Sequence, residues 1–167
     1  CVSVVECTIN MESTGLGTTS RTAYLLDYNA VKTVTSDVSD NDDSFYRMDK
    51  ITGARSKNDG AWHNYHTIST FSSTCSAGMS QLYKYLGMVS STNAYGYDGS
   101  TIVTNSLFSV KYLISNKLLS TDSLRTYYNG YDGEFIYKNE YTLPAGYVSD
   151  GNLSEKWKPD TIYNGIE

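Results

Sequence analysis

Apolar and polar positions change period several times along the chain, and the changes divide it into elements. The opening Val2-Ser3-Val4-Val5-Glu6-Cys7-Thr8-Ile9 is rich in β-branched residues and predicts a strand. From Ser20, a residue suited to an N-cap, Tyr24, Tyr28, Val31 and Val38 recur near helical spacing up to the acidic break Asp40-Asn41-Asp42-Asp43, which reads as a solvated helix end. Residues 44–51 alternate Phe45, Arg47, Asp49 and Ile51 against Tyr46, Met48 and Lys50, the period of a strand. Residues 52–71 hold no sustained period and are expected to form one long loop.

The clearest helix follows. Ser72 or Ser73 is the expected cap, Met79, Leu82, Tyr83 and Leu86 form an i, i+3, i+4, i+7 stripe, and Gly87 supplies the stop. Asp98-Gly99-Ser100 predicts a turn and cap before a short helix through Ile102, Val103 and Leu107, then a strand at Val110-Lys111-Tyr112-Leu113-Ile114. Thr126-Tyr127-Tyr128 and Glu134-Phe135-Ile136-Tyr137 flank Asn129-Gly130-Tyr131-Asp132-Gly133, a hairpin composition. Residues 141–148 are expected to add an edge strand, with Pro144 near its start. The order β-α-β-loop-α-α-β-β-β-β predicts an α/β (α+β mixed) fold, a mixed β-sheet with helices packed on it, as a single domain over residues 1–167.

Composition narrows the function. A net charge of -5 with scattered basic pairs such as Lys111 and Lys117, or Lys156 and Lys158, argues against nucleic acid and against a polybasic lipid signal. Sixteen tyrosines against four phenylalanines imply many half-exposed rings, which suit either an amphipathic surface over a modest core or contact with carbohydrate. Cys1, Cys7 and Cys75 form no C-x-x-C pair, and a strand would hold Cys1 and Cys7 too far apart to bridge, so three free thiols are expected. No apolar run approaches the roughly 20 residues that cross a bilayer. The start at Cys1 without an initiator Met suits a fragment of a longer protein.

Catalytic and metal patterns are sparse. Gly15-Leu16-Gly17 lacks the third glycine of a phosphate loop. His63, His66 and Cys75 match no zinc spacing and leave a polar loop with two surface histidines, Asp40, Asp42 and Asp43 lack the calcium-loop pattern, and pairs such as Asp59 with Glu134 or Asp49 with Asp132 are those any acidic chain supplies. No catalytic residue, metal or cofactor is therefore assigned. The one concentration of hydrogen-bonding and stacking groups is the loop 55–66, with Asn58, Asp59, Trp62, Asn64 and Tyr65. It suits a sugar or another polar ligand, or simply lies over the sheet.

Several segments in order resemble the YfhO family. Ser44-Phe45-Tyr46-Arg47-Met48-Asp49-Lys50 is similar to its "FYR" strand, and Asn58-Asp59-Gly60 leads to Phe71-Ser72-Ser73, similar to its "FSS" segment. Leu86-Gly87 ends the helix as the family does. Ser106-Leu107-Phe108-Ser109-Val110-Lys111-Tyr112 resembles "SLLGVKY", with Ser109 where glycine is common, and Tyr137-Lys138-Asn139 with Leu143-Pro144 resembles "YEN…LP". The resemblance covers about residues 1–150. It implies the outward-facing domain of a polytopic bacterial membrane protein similar to GT-C glycosyltransferases that use lipid-phosphate sugars, linked to lipoteichoic-acid glycosylation in Gram-positive envelopes. Expected partners are the transmembrane portion of the same polypeptide and a glycan or teichoic-acid acceptor; the alternative is a structural or protein-contact domain. The family motifs add Arg47, Ser72, Ser73 and Lys111 to Asn58 and Asp59 as ligand-binding candidates, with Arg47 and Lys111 equally suited to pairing with carboxylates inside the fold.

Overall fold

The computed structural model describes residues 2–14 and 20–148. Cys1 and Gly15-Leu16-Gly17 lie outside them. The described residues form six helices, α1 (Val2–Ser13), α2 (Arg21–Tyr24), α3 (Tyr28–Asn41), α4 (Asp59–His63), α5 (Ala77–Tyr85) and α6 (Ile102–Leu107), and six strands, β1 (Arg47–Lys50), β2 (Thr70–Phe71), β3 (Ala94–Tyr95), β4 (Val110–Ser115), β5 (Arg125–Tyr131) and β6 (Glu134–Asn139). The main sheet has the order β1-β4-β6-β5, and β2 pairs with β3 in a second, two-stranded sheet. Only β1 and β4 run parallel; the other pairs are antiparallel. The mixed sheet with packed helices is the architecture expected from the sequence.

Alternation along the strands sends side chains to two cores. On one face Met48, Tyr112, Ile114 and Ile136 meet Val31, Val34 and Val38 of α3. On the other, Val110, Leu113 and Tyr137 meet Ile68, Tyr83, Leu86 and Met88. A bulge preserves this division: Arg47 pairs with Val110 but Met48 pairs with Tyr112, so Lys111 is the extra residue and leaves the ladder. Ser109, just before β4, has φ 57, a left-handed conformation that glycine adopts without steric cost.

The first correction is the opening segment, a helix rather than a strand, so Cys7 sits on α1. Its run of β-branched residues favours either element when periodicity alone is read, and here backbone bonding is helical. Cys7 and Cys75 are free thiols. The expected helix from Ser20 is two helices. Ser20 does cap the first, accepting a hydrogen bond from the Ala23 amide, but a turn at 25–27 intervenes. That turn brings Asp27 to within 2.9 Å of Lys50.

The segment expected to be one long loop contains α4 and β2, elements too short to show a period. Helix α5 is capped by Ser76 rather than Ser72 or Ser73, with the Ser76 hydroxyl accepting from the Met79 amide. Thr101 rather than Ser100 caps α6, in a reciprocal box with Thr104. The hairpin is real and its turn is tighter than its composition implied: Asp132 and Gly133, both at positive φ, make the reversal, while Asn129 and Gly130 belong to β5. No strand forms at 141–148, where Ser106 instead binds the backbone of Tyr141 and Leu143.

Candidate functional site

The segment 55–66 forms the wall of three separate clefts, because α4 turns it back on itself. Asp59 is buried, and its carboxylate accepts hydrogen bonds from the amides of Arg55 (3.0 Å) and Ser56 (2.9 Å). Asn58 clamps β2 through its side-chain amide, donating to the Phe71 carbonyl (3.0 Å) and accepting from the Phe71 amide (2.8 Å). Asn64 ends α4 at φ 60, which asparagine tolerates better than most residues. Three of the predicted residues thus shape the segment as well as lining its clefts.

The largest of these clefts, about 670 Å³, lies between α3 and residues 63–66. Its walls carry the rings of Tyr28, Tyr46 and Tyr65, with Phe45 stacked on His66 at 5.8 Å, and the hydroxyls of Thr35, Ser36 and Ser39. Asn64 lines it too, as does Lys32. His63, expected at the surface, is 4% exposed and lies between Tyr28 (5.7 Å) and Tyr65 (6.4 Å). Neither of its ring nitrogens has a hydrogen-bond partner among the described residues. Burial holds the imidazole below its ordinary value, hence neutral. Burial likewise raises the Tyr65 hydroxyl well above the tyrosine range.

A second, shallower cleft of about 450 Å³ gathers Tyr24, Arg55, Asn58, Asp59 and Trp62. Trp62 meets Tyr24 edge-on at 4.8 Å and Tyr28 at 5.6 Å. Trp62 and Tyr65 therefore face different clefts. The third cavity lies at the end of β1, on the other side of Tyr65.

The remaining predicted residues sit apart from these walls. Arg47 donates to the Phe108 carbonyl (2.7 Å) and lies over the Phe45 ring, so it pairs with no carboxylate among the described residues. Lys111 does pair, with Asp42 at 2.6 Å, and Tyr112 donates to the same carboxylate at 2.8 Å. Asp42 is accordingly an anchor of the helix end and not a solvated residue. Burial raises its carboxyl, but the bonds from Lys111, Ser44 and Tyr112 outweigh that and hold it well below the carboxylate range. The Ser72 hydroxyl accepts from the Thr74 amide, and Ser73 is exposed.

Two buried charges on β1 escaped the sequence reading. Lys50 and Asp49 are neighbours, so their side chains leave opposite faces of the sheet. Lys50 lies between Asp27 (2.9 Å) and Glu134 (2.8 Å), and Arg55 closes on Asp27 at 2.8 Å. Asp49 has no ion-pair partner among the described residues. It accepts hydrogen bonds from Thr67 Oγ1 (2.6 Å), Ser69 Oγ (3.0 Å) and the Ile68 amide (3.3 Å). Burial pushes its carboxyl up to about 6, against the lowering effect of those donors. The alternation at 44–51 marked these positions as strand residues and gave no sign that both were interior.

The raised carboxyl has a pH signature. Folded Asp49 binds its proton more tightly than the unfolded chain does, so its stabilising contribution is complete below the ordinary value of 3.8 and is lost as pH rises through about 6. In urea unfolding measured across that window, Asp49→Asn should remove part of the decline in midpoint seen in the unaltered chain. Identical pH slopes in the two proteins would show that Asp49 does not titrate there.

Compared with known proteins, residues 1–162 match the family model described as bacterial membrane protein YfhO. No curated protein and no solved structure matches the chain. Among the described residues, no helix is long and apolar enough to cross a membrane.

Proposed function

The chain belongs to the YfhO family of bacterial membrane proteins, and we propose that it is an extracytoplasmic accessory domain that holds a cell-envelope glycan acceptor for a membrane-embedded sugar transferase. The observation that carries the proposal is the groove between α3 and residues 63–66, about 670 Å³, which is lined by both aromatic rings and small hydroxyls. A sugar presents apolar ring faces to Tyr28, Tyr46 and Tyr65, and its hydroxyls meet Thr35, Ser36, Ser39 and Asn64. A teichoic-acid acceptor adds phosphate, for which Lys32 at the groove wall is the cation. The transferase in this reading is of GT-C type, draws on a lipid-phosphate sugar and glycosylates lipoteichoic acid of a Gram-positive envelope. Its catalytic and donor-binding groups belong to the membrane portion, and none is assigned here.

One observation favours a protein-contact domain as the second reading. Helix α1 has no buried residue and exposes Val2, Val4, Val5, Ile9 and Met11. A helix that apolar and that exposed is suited to another protein surface.

Titration of the isotopically labelled chain with teichoic-acid fragments and with neutral glycans separates the two. Acceptor binding should move the amides of Tyr28, Tyr46, Asn64 and His66 at millimolar ligand, weak affinity being expected where the membrane portion supplies further contacts and a high effective concentration. Shifts confined to residues 2–14 on adding the transmembrane portion, with none from any glycan, would replace this reading with the contact one.

A further inference from the structure

The third cavity, of about 360 Å³, opens at the carboxyl end of β1 and is separated from the groove by Tyr65, which lines both. We propose that this cavity is an independent binding site for one neutral sugar residue or a polyol of similar size, with the Asp49 carboxylate accepting its hydroxyls. The inference does not depend on what the groove binds. Its position is the usual one for ligands in open sheets with parallel strands, outside the carboxyl ends, and β1 with β4 is the parallel pair here.

The walls supply the chemistry. Asp49, 5% exposed and without an ion-pair partner among the described residues, is an isolated buried charge, which a fold retains at a cost unless a ligand or a hydrogen-bond network uses it. Its Oδ2 is occupied by Thr67, Ile68 and Ser69, but Oδ1 accepts only from the Ser69 hydroxyl, shared with Oδ2, so a lone pair remains. Tyr65 and Tyr97 give aromatic surface, and Thr67 and Ser56 give hydroxyls.

Charge selects the ligand class. The cavity is lined by three acidic residues, Asp49, Asp59 and Asp98, and two lysines, Lys57 and Lys50, the ammonium of Lys50 lying on the other face of the sheet. Lys50 is balanced by Asp27 and Glu134, and Lys57 by Asp98 at 2.5 Å, so Asp49 and Asp59 leave the cavity net negative, which disfavours a phosphate or carboxylate ligand. A metal ion is disfavoured as well, since among the described residues no three His, Cys, Asp or Glu side chains are grouped to hold one. A volume near 360 Å³ is at the small end of ligand pockets, enough for a ring and not for a chain.

The cavity also has a means of opening. Lys57 comes from the segment before α4 and Asp98 from the turn after β3, and both are partly exposed, so their bond is a weak surface pair that an entering ligand can displace. Gly96 makes room for the lysine, since a Cβ there would lie 2.7 Å from Lys57 Nζ.

The test is amide-shift titration of the 167-residue chain with glucose, galactose, N-acetylglucosamine and glycerol, and with glycerol phosphate as the anionic comparison. At least one neutral probe should give saturable shifts at Asp49, Ser69 and Tyr97, and the phosphate should give weaker ones. Asp49→Asn, isosteric and still able to hydrogen-bond Ser69, should weaken binding about tenfold or more, the typical effect of losing a charged acceptor. Gly96→Leu, whose Cβ would meet the flexible end of the Lys57 side chain, should abolish the cavity shifts. The proposal is overturned if neutral probes shift only Tyr28, Tyr46 and His66 in the groove, if they shift nothing, or if cavity shifts survive Gly96→Leu unchanged.

Discussion

Lys50→Met should lower the free energy of unfolding by about 3–5 kcal/mol at neutral pH, the penalty typical of stranding a buried charge. Methionine fills the space of the lysine stem, so packing survives. What is lost is the ammonium group held between Asp27 and Glu134, with only 1% of the Lys50 side chain exposed. Asp27 keeps Arg55 at 2.8 Å, but Glu134 has no other cation within ion-pair distance among the described residues. Its carboxyl is already raised by burial even with Lys50 present.

In the variant it rises further, and the sign of the pH effect follows. Protonation of Glu134 relieves the stranded charge, so the destabilisation should shrink on acidification and grow as pH rises through the raised folded value. Lys50→Met combined with Glu134→Gln should recover a large part of the loss, because the second change removes the charge that the first left alone. Equilibrium urea unfolding of the four proteins of this cycle measures both quantities. A cost below about 1 kcal/mol for Lys50→Met, the range of exposed pairs, would mean that water reaches the network and that it does not lock α3's turn to the hairpin.

The network also marks what was legible in the sequence. Periodicity located β1 and α5, and apolar runs between turn signals located β4 and the hairpin, although β1 and β4 are covered on both faces. It placed Lys50 on β1 yet could not show that Lys50 is interior, since its partners lie 23 and 84 residues away and no local signal joins them. The 55–66 segment was recognised by its composition, but its division among three clefts depends on a five-residue helix, with Asn58 and Asp59 tying its start to the backbone of Phe71 and Arg55. Such a helix is too short for any period. Residues 2–13 depart from the expected strand for another reason: Val, Thr and Ile favour strands only where a sheet receives them, and among the described residues α1 buries none of its side chains. Ser109 was noted only through the resemblance, as standing where glycine was expected to be common, and its positive φ is a backbone feature that no local period reveals.

Tyr83→Ala should destabilise the fold by about 3–5 kcal/mol, the range for truncating a large buried aromatic. The tyrosine is 1% exposed on α5, its ring 4.5 Å from that of Tyr95 and stacked on Phe108 at 5.3 Å. Its hydroxyl donates to the Ile68 carbonyl at 2.7 Å. One side chain thus ties α5 to β3, to the end of α6 and to the 67–69 segment that holds Asp49. Its position in the 79, 82, 83, 86 stripe predicted burial, and the structure adds the polar anchor. Tyr83→Phe separates the two contributions: it keeps the ring and leaves the Ile68 carbonyl without its donor, a cost of about 1–3 kcal/mol. Because Ile68 and Ser69 carry the donors to Asp49, Tyr83→Phe should also weaken sugar binding in the cavity while leaving shifts in the groove unchanged. Urea unfolding and the same amide titration read the two effects. If Tyr83→Phe costs as much as Tyr83→Ala, the hydrogen bond and not the packing anchors α5; if both cost less than about 1 kcal/mol, the second core does not hold the cavity wall.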